Sequence, residues 1–139
     1  YSCHPRSRKF IEQRGFKFDS RVIQNHPFGF HDYNYLQQNA FCVVSDSGTV
    51  PEEGSYFKFP VVSIRTSTER PEAMDKGVFI IGSITTEQVL QAVDMAVMMH
   101  KNGDVALTCP AYDDANVSTK VVKLIQSYTG IINKMIWRK

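Results

Sequence analysis

The sequence predicts an α/β fold, a Rossmann-like parallel sheet flanked by helices. Short continuous apolar runs recur at Phe41-Cys42-Val43-Val44, Val61-Val62-Ser63-Ile64 and Val78-Phe79-Ile80-Ile81, the signature of strands covered on both faces. Segments with helical spacing lie between and after them. Strands alternating with helices imply βαβ units, because each crossover helix carries the chain back over one face of the sheet and the next strand then runs parallel.

Taken in order, Pro5 suits a first helical turn and Gly15 a stop, so residues 5–14 are predicted to be a helix with a basic face and an apolar pair at Phe10 and Ile11. Residues 21–24 carry a short apolar stretch that reads as a strand, broken by His26-Pro27-Phe28-Gly29. Asp32 can cap a helix reaching Asn39, with Tyr33, Leu36 and Ala40 on one face. A helix over 50–57 follows the first apolar run. Thr85 and Gln88 form a capping-box pattern ahead of a helix that turns Val89, Leu90, Val93, Ala96 and Val97 inward. Residues 102–114 read as loop, and 115–128 as a helix with Val117, Val121, Leu124 and Ile125 in register, ended by Gly130.

Composition narrows the function classes. The 139 residues, 42% hydrophobic, suffice for one compact domain over 1–139. With 16 basic and 14 acidic residues the net charge is +2, so nothing calls for nucleic acid as a partner. Cys3, Cys42 and Cys109 are odd in number and widely spaced, which argues against a disulfide framework or a zinc site and fits a reducing cytoplasm. No apolar run approaches the roughly 18 residues that span a bilayer, so no membrane role is expected. The opening Tyr1-Ser2-Cys3-His4-Pro5 lacks an initiator methionine and reads like the end of a strand, predicting a fragment of a longer chain.

The segment Val43-Val44-Ser45-Asp46-Ser47-Gly48-Thr49, followed by Glu52-Glu53, is the most informative. A strand that ends in small hydroxyl and glycine residues before a helix aims free N–H groups and the positive helix end at one point, where a phosphate can bind. Glu53, about one turn into the helix, can accept from ribose hydroxyls. The same pattern also suits Ser47 as a plain helix cap and Glu53 as a solvated residue. Thr68-Glu69-Arg70-Pro71-Glu72 falls at the same carboxyl edge, where Arg70 can hold a diphosphate or simply open a surface helix. His4 lies at that edge too, as a phosphate contact, an acid/base group or a structural histidine. Phe28 and Tyr33 belong to an aromatic segment that can wall a planar base or fill a core.

Together these segments resemble the non-hydrolysing UDP-N-acetylglucosamine 2-epimerases. The resemblance is close over 39–82, through Ser45-Asp46-Ser47-Gly48 with Glu52-Glu53, the Pro60-led strand, the stretch from Arg65 to Glu72 with its Thr68-Glu69-Arg70-Pro71-Glu72, and the strand from Gly77 to Gly82, and looser around His4 and in the terminal helices. It implies the carboxy-terminal, UDP-binding domain of a two-domain enzyme of the glycosyltransferase-B type. Ser47, Gly48 and Thr49 would then contact the diphosphate, Glu53 the ribose, Arg70 the phosphate neighbourhood, Phe28 and Tyr33 the uracil, and His4 the leaving-group side. Thr49 stands where the family often has a second glycine, and the aromatic segment departs from the best-known members. The segments at His4, His31-Asp32-Tyr33 and the chain end look more like the capsule and O-antigen branch, which handles 6-deoxy-talosamine and fucosamine nucleotides.

The activity implied is reversible inversion at carbon 2 by loss and return of UDP, with no metal or organic cofactor. The implied partners are the UDP-sugar substrate, an amino-terminal domain of the same enzyme carrying most acid/base carboxylates, and a second copy in a homodimer of the full-length protein. The tail at 131–139, with Trp137, is expected to cross toward the other domain. The nucleotide half of a UDP-sugar glycosyltransferase and a non-catalytic interaction module are the alternatives.

Overall fold

A computed structural model describes residues 1–139. The helices are α1 (Pro5–Gln13), α2 (Phe30–Gln38), α3 (Val50–Phe57), α4 (Pro71–Met74), α5 (Thr86–Lys101) and α6 (Val117–Ile132), and the strands are β1 (Val43–Ser45), β2 (Val61–Ser63) and β3 (Ile80–Ile81). The three strands pair in parallel in the order β1-β2-β3, with Val43 opposite Val61 and Ser63 opposite Ile81. Backbone bonds extend the ladder at both ends, from Val43 N to Pro60 O (2.9 Å) and from Gly82 N to Ser63 O (2.8 Å).

The pleat of the buried central strand β2 builds two cores. Val61 faces Val50 of α3, Ala73 of α4, and Phe59, Val78 and Phe79. Its neighbour Val62, pointing the other way, meets Ala92 and Ala96 of α5. Each of these valines contributes about 1.5–3 kcal/mol by leaving water. Helix α3 is launched by Pro51 in its first turn, with Glu52 and Glu53 facing its positive end, and closes on Lys58 in a left-handed conformation at φ 60°.

The 102–112 connection is fastened to α3 by a buried bond, Cys109 N to Ser55 Oγ at 2.8 Å, with Ser55 fully buried. A 3₁₀ turn over Pro110–Tyr112 then brings the Tyr112 hydroxyl to Glu72 Oε1 (2.8 Å). Ser55→Ala is expected to cost about 1–3 kcal/mol, because the Cys109 N–H is left buried and unpaired. A urea midpoint that does not move would count against that bond.

Several expectations are corrected. The stretch 21–24 is not a strand: one parallel bridge, Ser2 to Asn25, lies just beyond it, and the stretch itself accepts the bond from the Tyr1 amino group at Ile23 O (2.7 Å). Helix α2 begins at Phe30 with Gly29 as its cap, so Asp32 lies inside the first turn, where its charge still favours the helix. The strand expected over 41–44 is Val43–Ser45, and Val44 is 43% exposed because β1 is an edge strand open on one face. In the third run only Ile80 and Ile81 are paired, while Val78 and Phe79 are core residues leading in.

On α5, Ala92 joins Ala96 and Val97 in burial while Leu90 points outward, since the close approach of the helix to the sheet selects small side chains. The Thr85 hydroxyl donates to Gln88 Oε1 (2.7 Å) instead of accepting from the backbone, so the two side chains meet but neither backbone bond of a capping box forms. Gly130 does not end α6. The helix runs to Ile132 and passes into a π-helical turn over Asn133–Trp137, because an interior glycine costs only about 1 kcal/mol relative to alanine while the apolar stripe continues beyond it. No side chain of α6 is buried, and Trp137 is 64% exposed.

Candidate functional site

A cleft of about 520 Å³ runs along the edge strand β1 to its carboxyl end, lined by His4, Phe28, Tyr33, Gln37, Ser45 and Asp46, among others. Three stretches distant in sequence thus meet here: the start of α1, the loop and first turns of α2, and the end of β1. Parallel pairing makes this convergence possible, because every β-to-α connection leaves from the same edge.

His4 caps α1, its Nδ1 accepting from Arg6 N at 3.2 Å. An accepting Nδ1 places the proton of the neutral ring on Nε2, so the outer face of the imidazole is a donor. Burial, and then the charge of Glu53, raise the Tyr33 phenol above its ordinary pKa. Tyr33 is therefore a neutral donor over the working range.

The turn after β1 is held by its own hydroxyls. Ser47 N donates to Ser45 Oγ (3.1 Å), and the Ser47 and Thr49 hydroxyls are 3.1 Å apart. The N–H groups of Gly48, Val50 and Glu52 make no hydrogen bond within the chain. These are donors at the positive end of α3, the arrangement that receives anions. Thr49, not Ser47, is the helix cap, and its side chain makes no capping bond to the helix.

Two arginines border this turn, each held by a carboxylate. Arg65 Nε donates to Asp46 O (2.7 Å) and its Nη1 to both oxygens of Glu69 (2.8 and 2.6 Å). Arg70 pairs with Glu52 in the first turn of α3 (3.0 Å). The loop is thereby drawn against the turn: a Cβ on Gly48 would lie 3.2 Å from Glu69 Oε1. His4, Phe28 and Tyr33 share the cleft. Ser47, Gly48 and Thr49 follow Asp46 in the adjoining turn, and neither they nor Glu53 nor Arg70, which pairs with Glu52, line the cleft itself.

The Arg65 guanidinium holds the Glu69 carboxyl below its ordinary pKa. A depressed carboxyl pKa contributes stability above the unfolded value of about 4.3, and this is lost as pH falls through the folded value. Carbon-detected NMR should accordingly place the Glu69 midpoint below about 4.3, and Arg65→Ala should move it up toward that value. An unchanged midpoint in the variant would exclude the ion pair in solution.

A family profile described as UDP-N-acetylglucosamine 2-epimerase matches residues 1–126. The chain belongs to the UDP-N-acetylglucosamine 2-epimerase family. It is 29% identical over 106 residues to the UDP-N-acetylglucosamine 2-epimerase of Methanocaldococcus jannaschii, covering 73% of this chain and 29% of that protein. The UDP-N-acetylglucosamine 2-epimerase structure from Rickettsia bellii superposes with a TM-score of 0.78 at 38% identity, over 99% of this chain and 38% of that one. The M. jannaschii epimerase in complex with UDP-GlcNAc and UDP gives a TM-score of 0.75 at 25% identity, over 91% of this chain and 34% of that one. The chain therefore spans between 29% and 38% of the length of these relatives.

Within this epimerase-family chain, sequence reasoning missed Gln37 and Arg65 as parts of the site and took Asp46 only as a member of the turn. Arg65 stands four residues before Glu69, the spacing of an ion pair, and could have been found that way. Gln37 reaches Glu53 across 16 residues of sequence, and no local pattern marks it.

Proposed function

We propose that this chain is the UDP-binding domain of a nucleotide-sugar 2-epimerase that interconverts UDP-GlcNAc and UDP-ManNAc, or a related 6-deoxy sugar nucleotide, for surface polysaccharide synthesis in the cytoplasm. The reading is carried by the juxtaposition of the His4 cleft with the unpaired N–H groups of Gly48, Val50 and Glu52. In this proposal the diphosphate lies across that turn, within reach of Ser47, Thr49 and Arg70. Glu53 takes the ribose, and Phe28 and Tyr33 flank the uracil. His4 Nε2 donates to the leaving oxygen. An amino-terminal domain supplies the remaining catalytic groups, and the full-length protein pairs as a homodimer.

The chemistry that follows is an elimination and re-addition. A base removes the proton from carbon 2, the bond from carbon 1 to the diphosphate oxygen breaks with its electron pair leaving on UDP, and a double bond forms between carbons 1 and 2. Re-addition of UDP at carbon 1 and return of the proton to the opposite face of carbon 2 complete the inversion. This domain's part is to stabilise charge that grows on departing UDP, through donors already in place.

The full-length protein incubated with UDP-GlcNAc in deuterated water should yield the 2-epimer without an acceptor, with deuterium at carbon 2. UDP release that requires an acceptor sugar would instead assign it to the glycosyltransferases. The present chain alone is expected to bind UDP weakly without turnover. Glu53→Ala should weaken UDP binding by about 1–3 kcal/mol through loss of a ribose contact, and equal affinities by calorimetry would remove Glu53 from the site.

A further inference from the structure

We infer that Gln37 is a positioning residue that holds the Glu53 carboxylate for the ribose of the bound nucleotide. This inference rests on the nucleotide reading above and adds a residue and a selectivity to it. Gln37 lies on α2 with 3% of its surface exposed, and its Nε2 donates to Glu53 Oε2 at 2.6 Å. Chemistry fixes that orientation, since an amide beside a carboxylate must present its NH₂ group. Its Oε1 is then buried without a partner.

That orphaned carbonyl is the informative part. A buried unpaired acceptor is costly, and an apolar side chain of the same size would pack α2 onto α3 without the penalty. A polar group retained at such a position needs a reason other than packing, and the bond to Glu53 is the one the structure provides. With Oε2 engaged by Gln37, Glu53 Oε1 has no partner within the chain and is not buried. One oxygen is anchored and the other is left free to accept. The anchor comes from the wall of the cleft itself, because Gln37 lines it beside Tyr33, whose phenol feels the Glu53 charge.

The test measures ribose selectivity in the full-length protein, using UDP and 2′,3′-dideoxy-UDP as probes. Wild type should prefer UDP by roughly tenfold, the worth of a well-placed hydrogen bond to a charged acceptor. Gln37→Met keeps the length of the side chain and removes both the anchor and the orphaned carbonyl, so the fold should survive, with Gln37→Leu as a second variant. In either, affinity for UDP should fall to within about twofold of that for dideoxy-UDP, while dideoxy-UDP binds as before. A preference for UDP that survives both substitutions overturns the inference, as does parallel weakening of both probes, which marks a purely structural residue. A wild type that binds both probes equally removes Glu53 from the ribose and the inference with it, leaving the nucleotide reading intact. A wild type that binds neither overturns both.

Discussion

Gly54→Val is expected to destabilise the fold by about 3 kcal/mol, a large part of what holds a domain of this size together. On local grounds the opposite sign would be forecast, because glycine inside a helix costs about 1 kcal/mol relative to alanine. Packing reverses it. A Cβ at Gly54 would lie 2.8 Å from Val61 Cγ2 and 3.3 Å from Val78 Cγ1, and both valines belong to the core under α3. Val61 is 2% exposed on the central strand and has nowhere to retreat. Even Gly54→Ala should be net destabilising.

Gly130 supplies the comparison, since it also lies inside a helix but a Cβ there would meet nothing within 4 Å. Gly130→Ala should stabilise by up to about 1 kcal/mol. Urea melts of the two alanine variants must therefore move in opposite directions. Shifts of the same sign would mean that α3 is not seated on β2 as described.

The same contrast explains what the sequence did and did not disclose. The extent of α3 was legible, because Pro51, Glu52 and Glu53 suit a helix start and the following Pro60 precludes continuation. The parallel sheet was legible from three apolar runs spaced by crossovers. Leu90 and Ala92 were not sorted correctly, because periodicity gives the face of a helix while the distance to the sheet decides which side chain size fits it. Gly130 was misread for a related reason: a stop signal acts only where the chain beyond it gains nothing from staying helical, and residues 131–137 carry on the stripe.

In the site, the residues of the turn were legible as a unit because Ser45, Asp46, Ser47, Gly48 and Thr49 are contiguous, and their hydroxyl network is local. The members brought in by tertiary structure were not. Gln37 reaches Glu53 from another helix, and Arg65 crosses to Asp46 O from the end of the neighbouring strand. Arg70 was legible as belonging to the loop after β2, but its ion pair with Glu52 of α3 was not, since 18 residues separate them.

The second large effect is electrostatic. Gly48→Asp in the full-length protein should weaken UDP binding by roughly 700-fold, since two unit charges about 4 Å apart repel by about 4 kcal/mol at an effective dielectric near 20. The fold should not suffer. Gly48 does not occupy the left-handed region, and its new Cβ would meet only the far end of the flexible Glu69 side chain. An acidic group just ahead of α3 also favours the helix by about 0.3–1 kcal/mol. The Glu69 carboxylate, whose Oε1 would lie 3.2 Å from the new Cβ, opposes that gain, so stability should change little while binding falls steeply, which separates loss of the ligand from loss of the structure. Gly48→Ala adds the same Cβ without charge and should stay within a few-fold of wild type. If the alanine variant loses as much affinity as the aspartate, close approach of the backbone governs binding, and the free N–H groups of the turn act by geometry instead of by the potential they create.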